Sequence, residues 1–181
     1  MQRSPVSFFR RQIFSIAFFS LFLAGGSVLA QSTWTGATNS NWNDAGNWTG
    51  GIPVNGTVLN FGAAPTNMAT NMDISGLTTG AINFTYSGAT ASPVTIGTLG
   101  QSITLGGNIT TTAAATNITT DVINLNLILD NNRTVTTNSF HALTIHGEIS
   151  STTFGLVKAG AQVLTLTNAN SSFSGPLTIN Q

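Results

Sequence analysis

Short runs in which an aliphatic residue returns at every second position dominate this chain, and they leave little choice of fold class. The clearest is Ile123-Asn124-Leu125-Asn126-Leu127, with Ile and Leu on one side and Asn on the other. Period two marks a strand with one buried face, because successive side chains of an extended backbone point to opposite sides. Comparable runs occupy Val58–Phe61, Ile82–Tyr86, Val94–Ile96, Ile103–Leu105, Ile123–Leu129, Leu143–Ile149, Val163–Leu166 and Leu177–Ile179. Turn-forming clusters separate them: Ser75-Gly76, Ser87-Gly88, Gly106-Gly107-Asn108 and Asp130-Asn131-Asn132. No helical spacing of apolar residues persists, and Ala113-Ala114-Ala115, the best helix-forming composition, is bracketed by Thr and Asn-rich sequence. The chain is predicted to be all-β.

Internal repetition points to the architecture. The form aliphatic-Thr-aliphatic-x-Gly-x-Ile occurs at Ile103–Ile109 and again at Leu143–Ile149, 40 residues on. Leu164-Thr165-Leu166 follows 21 residues later, and Leu177-Thr178-Ile179 another 13 after that. Steps near twenty, with a double step of 40, suit a parallel β-helix in which each coil adds one strand to each sheet. Ile, Leu and Val would then line the interior. A β-sandwich, whose strands recur at roughly 8–12 residues, is the alternative.

Composition removes several classes of function. Charged residues make up 6% of the 181, five of each sign, against roughly 25% in ordinary domains. There is no cysteine, which excludes disulfides, thiol nucleophiles and Cys-based zinc sites. Nucleic acid is excluded as a partner, since phosphate binding needs clustered Lys and Arg.

Three of the five bases lie at the start. Arg3, Arg10 and Arg11 precede the apolar run Ile13–Ala24 and the small-residue stretch Gly25–Ala30. That order is a secretory signal peptide over residues 1–30, with cleavage expected after Ala30. The apolar run is too short to span a bilayer as a helix, and no later stretch is long enough. The remaining chain holds Arg133 and Lys158 against Asp44, Asp73, Asp121, Asp130 and Glu148. It is expected to be exported, as a secreted or outer-membrane and cell-surface protein.

Near the C-terminal end, Gly155-Leu156-Val157-Lys158-Ala159-Gly160, Leu164-Thr165-Leu166 and Ala169-Asn170, then Ser171–Gly175, fall in one register. Residues 155–179 closely resemble the autotransporter-associated β-strand repeat. Val157 stands where that repeat usually has Thr, and Gln162 and Pro176 where it usually has Gly. The resemblance implies a right-handed parallel β-helix in a bacterial autotransporter passenger, with a structural repeat and no catalytic residues to transfer. Because Gln181 follows directly on Leu177–Ile179, the repeat is expected to continue in a longer array.

Trp34-Thr35-Gly36, Asn41-Trp42-Asn43 and Asn47-Trp48-Thr49-Gly50-Gly51-Ile52-Pro53 form a second signature. It looks like the head segment of such repeat proteins. Physically, residues 31–62 would be a Trp-rich cap over the first coil, ahead of β-helix repeats in 63–181, since an uncovered coil exposes apolar interior and strand edges. The rival reading makes Trp34, Trp42 and Trp48 a glycan-stacking platform in a carbohydrate-binding module.

Chemistry is sparse. His141 and His146, the only two imidazoles, fall on opposite faces of one strand, with His146 beside Thr144 and facing solvent. The acids are scattered, so a polysaccharide-active enzyme would need Asp73, Asp121 and Glu148 brought together on one sheet. Seven Asn-x-Ser/Thr triplets, at Asn47, Asn55, Asn83, Asn108, Asn117, Asn132 and Asn170, are what chance delivers at this composition. No phosphate loop, HExxH or GxSxG motif occurs. The expectation is a non-enzymatic structural or adhesive passenger without metal or cofactor, whose partners are surface glycans or neighbouring cell-surface proteins.

Overall fold

A computed structural model describes residues 29–62, 65–86, 93–113, 118–138 and 140–181. The signal-peptide reading therefore lies outside the described residues, apart from Leu29 and Ala30, as do the Ser87-Gly88 turn and most of the Ala113–Ala115 run. Among the described residues seventeen strands follow in order. The first five are β1 (Gln31–Trp34), β2 (Trp48–Thr49), β3 (Val58–Phe61), β4 (Thr78–Thr79) and β5 (Ile82–Tyr86). Next come β6 (Thr95–Ile96), β7 (Ser102–Leu105), β8 (Ile109–Ala113), β9 (Thr119–Ile123), β10 (Asn126–Leu129) and β11 (Arg133–Thr137). The last are β12 (His141–Ile145), β13 (Ile149–Ser151), β14 (Leu156–Ala159), β15 (Leu164–Leu166), β16 (Ser172–Phe173) and β17 (Leu177–Ile179). Among the described residues one 3-10 turn, Ala45–Asn47, is capped by Asp44, and no described helix is long and apolar enough to cross a membrane.

These strands form three sheets, of eight (β17-β14-β11-β8-β5-β3-β1-β2), five (β16-β13-β10-β7-β4) and four (β15-β12-β9-β6) members. Every pairing is parallel except β1 with β2. From β6 onward the chain visits the four-, five- and eight-stranded sheets in that order, four times over. The result is a β-solenoid, a parallel β-helix, and the parallel pairing excludes the sandwich. One winding takes 27 residues at the start (Gln31 to Val58) and 21 at the end (Lys158 to Ile179).

Inward rows run along the solenoid as the aliphatic alternation demands. Leu59, Ile82, Ile109 and Val135 stack in the eight-stranded sheet, Ile103, Leu127 and Ile149 in the five-stranded one, and Ile96, Ile123, Ile145 and Leu166 in the four-stranded one. Lys158 continues the first row, and its ammonium donates to the carbonyls of Ala159 and Gly160. On the final coil Val163, Leu177 and Ile179 are exposed.

The 40-residue repeat needs correction. Ile103–Leu105 lies in the five-stranded sheet but Leu143–Ile145 in the four-stranded one, so the two segments never stack. Ile103 pairs with Leu127, and Leu143 with Leu164. Likewise Leu177 belongs to the eight-stranded sheet rather than above Leu164. What the motif marks is a corner, where one strand bends into the next sheet. Its glycines, Gly107 and Gly147, sit against the preceding coil, where a Cβ would run into backbone at Ala81 and Leu125 respectively. Asn side chains serve the same corners: Asn55, Asn108 and Asn132 accept from the backbone N–H of Thr78, Thr134 and Gly155, each one coil on, at 2.8–3.0 Å.

Candidate functional site

The Trp-rich segment supplies the interior of the first coil. Trp34, Trp42 and Trp48 are 2%, 0% and 6% exposed. Trp48 meets Trp34 edge-on at 4.9 Å and Trp42 at 5.5 Å, the geometry that aromatic quadrupoles favour. The loop linking them is knit by Asn47, whose amide accepts from the backbone of Thr38 and Asn39 and donates to Asn39 Oδ1 and the Asn41 carbonyl. Indole N–H groups of Trp34 and Trp48 reach the carbonyls of Asn67 and Trp42. Stacking on a sugar requires an indole face turned to solvent, and none of the three offers one.

His141 and His146 take opposite sides, as their parity requires. His146 is outward, its Nδ1 2.7 Å from the Thr167 hydroxyl. His141 is fully buried, and it belongs to a polar cluster that sequence reasoning missed. Asp121 occupies the inward row between Val94 and Leu143, with no exposure. Its Oδ1 accepts from the Tyr86 hydroxyl and from the Val94 N–H, both at 2.7 Å. Its Oδ2 lies against His141 Nε2, without hydrogen-bond alignment. The Tyr86 ring packs on His141 at 4.7 Å, and the Thr111 hydroxyl donates to the His141 carbonyl at 3.0 Å. A signal was present: Tyr86 shares parity with Ile82 and Phe84, Asp121 with Ile123, and His141 with Leu143 and Ile145.

Burial is the main cause that pushes the Tyr86 phenol far above its ordinary value, followed by the Asp121 charge and the hydrogen bond to it. The sign of the consequence follows directly. Above pH 10 or so the unfolded chain releases this proton while the folded chain holds it, so stability falls as pH rises, by up to about 1.4 kcal/mol per unit. Tyr86 is the only tyrosine, so tyrosinate absorbance is specific to it. That absorbance is expected to grow only together with loss of far-UV circular dichroism, and Tyr86→Phe to flatten the alkaline slope. Tyrosinate forming near pH 10 in a still-folded chain would contradict this.

A catalytic trio of Asp73, Asp121 and Glu148 is not assembled. Asp121 is sealed inside, while Asp73 and Glu148 lie on the corners that lead into β4 and β13. Those strands stand three spacings apart in the five-stranded sheet, roughly 14 Å. Asp73 instead accepts from the Asn43 N–H at 2.9 Å, and Arg133 pairs with Asp130.

What the solenoid offers to partners is its outer surface, one side chain per coil in each row. On the eight-stranded sheet Thr33, Asn60, Asn83, Thr110 and Thr136 are aligned, and Asn83 donates to Asn60 at 3.0 Å. On the five-stranded sheet the row is Thr78, Thr104, Ile128, Ser150 and Ser172. Comparison with family models, curated proteins and solved structures finds no match.

Proposed function

We propose that this chain is a non-enzymatic exported repeat protein, a structural or adhesive passenger of the autotransporter-like type. The observation that carries the reading is how residues 155–179 fold. They supply β14 to β17, one strand for each side of the coil and a further one above β14, in register with the coil before. Two of the departures from the repeat pattern fall at corners, where the Gln162 N–H donates to the Thr137 carbonyl at 3.1 Å and the Pro176 carbonyl accepts from Leu156 at 3.0 Å; the third, Val157, lies within β14, paired with Thr134 and Thr178. A solenoid also suits surface structure, because each coil contacts only its neighbours and lengthening it alters no existing contact.

The test follows the natural full chain, expressed with its own leader in a Gram-negative host. The exported product is expected to begin at Gln31 by mass spectrometry, and intact cells to label with antibody against the coil. An unprocessed chain retained in the cytoplasm would overturn the export reading. Export without any increase in adherence of labelled cells to surfaces would leave the structural role and remove the adhesive one.

A further inference from the structure

We infer that the outer face of the five-stranded sheet is a trough for an uncharged polysaccharide, an inference that rests on the adhesive reading and names the ligand class. Three depressions lie along this sheet, of about 460, 260 and 500 Å³. The first, walled by the 72–77 segment, meets the second at Ile128; the second meets the third at Ser151, Thr152 and Ser172. Together they follow the row Thr104, Ile128, Ser150, Ser172, roughly 14 Å long at one residue per strand spacing. A row that repeats with every coil matches a polymer that repeats along its own axis better than it matches a compact small molecule.

The lining selects the chemistry. Asp73, at one end, is the sole charged side chain in the three depressions, and neither Arg133 nor Lys158 reaches them. An anionic polymer would find no counter-charge. The hydroxyls of Thr104, Ser150 and Ser172 have no side-chain partner among the described residues, whereas corner Ser151 is consumed by the N–H groups of Thr153 and Phe154. A hydroxyl both donates and accepts, as does each hydroxyl of a sugar. Ile128, 45% exposed in the middle of the row, offers an aliphatic platform to the C–H face of a ring. An extended peptide binds a sheet through a free strand edge, whereas Thr104, Ile128 and Ser150 lie on β7, β10 and β13, which are paired on both sides.

The experiment is affinity electrophoresis of the full chain in native gels containing soluble β-glucan, galactomannan or dextran, with polygalacturonate as the anionic comparison. At least one neutral polymer is expected to retard the protein and polygalacturonate not to. Ile128→Asp and Ser150→Asp should each weaken retardation about tenfold with circular dichroism unchanged, while Thr110→Asp, on the outer face of the eight-stranded sheet, leaves it intact. Absence of retardation by all three neutral polymers, retardation by polygalacturonate alone, or equal loss with Thr110→Asp would overturn the assignment. Displayed cells separate the two readings: adherence untouched by Ile128→Asp rejects the trough and keeps the adhesive role, whereas neutral-polymer binding without adherence does the reverse.

Discussion

Asp121→Ala is expected to destabilise the fold by about 3–5 kcal/mol, because it leaves two buried donors without their acceptor. The carboxylate sits in a row otherwise made of Val94, Leu143 and Leu164. Its removal leaves the buried Tyr86 hydroxyl and Val94 N–H without their acceptor and takes away the carboxylate that lies against His141. An orphaned buried polar group costs about 1–3 kcal/mol, so the two together account for the figure. The converse experiment separates lost partners from lost volume. Replacing the three side chains together, with Asp121→Leu, His141→Phe and Tyr86→Phe, removes the side-chain orphans, leaves only the Val94 N–H without its acceptor, and should restore part of the stability, since buried polar clusters exchange for apolar packing at little cost. Urea unfolding followed by circular dichroism measures both. A single variant within 1 kcal/mol of the parent would mean that the cluster does not hold the coils together as described.

The cluster draws on three successive windings: Tyr86 and Val94 from one, Asp121 from the next, His141 from the one after. In a solenoid whose aliphatic rows are nearly interchangeable, such a contact distinguishes the right stacking from a slip by one coil. A slip would place the carboxylate against Leu side chains without donors. Register specification is the best-attested use of buried polar groups, and here it explains why a chain so poor in charge keeps one inside.

Strand content and facing were legible in the sequence because parity survives bending. Ile123–Leu129 looks like one strand, yet it is two, β9 and β10, with a corner at Asn124 and Leu125. Ile123, Leu125 and Leu127 remain inward through the turn, 0–1% exposed, so alternation reveals the face but not the bend. Sheet membership was illegible for the same reason. A strand-corner-strand unit has one local chemistry at each corner, so Ile103–Ile109 and Leu143–Ile149 look like equivalent rungs although they turn different corners. The Trp segment was read as a cap from indole size and position, and the three rings do fill the first coil. Its other reading required exposure, which sequence parity could not assign in a segment of loops. Asp121 escaped because a carboxylate in a strand is ordinarily a solvated one, and only its parity with Ile123 argued otherwise.

Phe61→Ala is expected to cost about 3–5 kcal/mol, and the loss should be confined to one end. Phe61 is fully buried between the first coil and the rest, with its ring 6.0 Å from Trp42, 5.9 Å from Trp48 and 5.9 Å from Phe84. Deleting it opens a cavity at the boundary across which the cap is coupled. Each coil of a solenoid draws stability from its neighbours, so weakening one boundary lets the outer coil unfold before the remainder. All three tryptophans belong to that outer coil, which makes their fluorescence a local probe beside the global signal of circular dichroism. In the parent the two probes should report one urea transition; in Phe61→Ala the fluorescence transition should move to lower urea while the dichroism midpoint shifts little. Asp121→Ala, deeper in the stack, should displace the dichroism transition instead. Identical shifts of both probes in both variants would show the solenoid to unfold as one unit, and the cap to be continuous with the coils it covers.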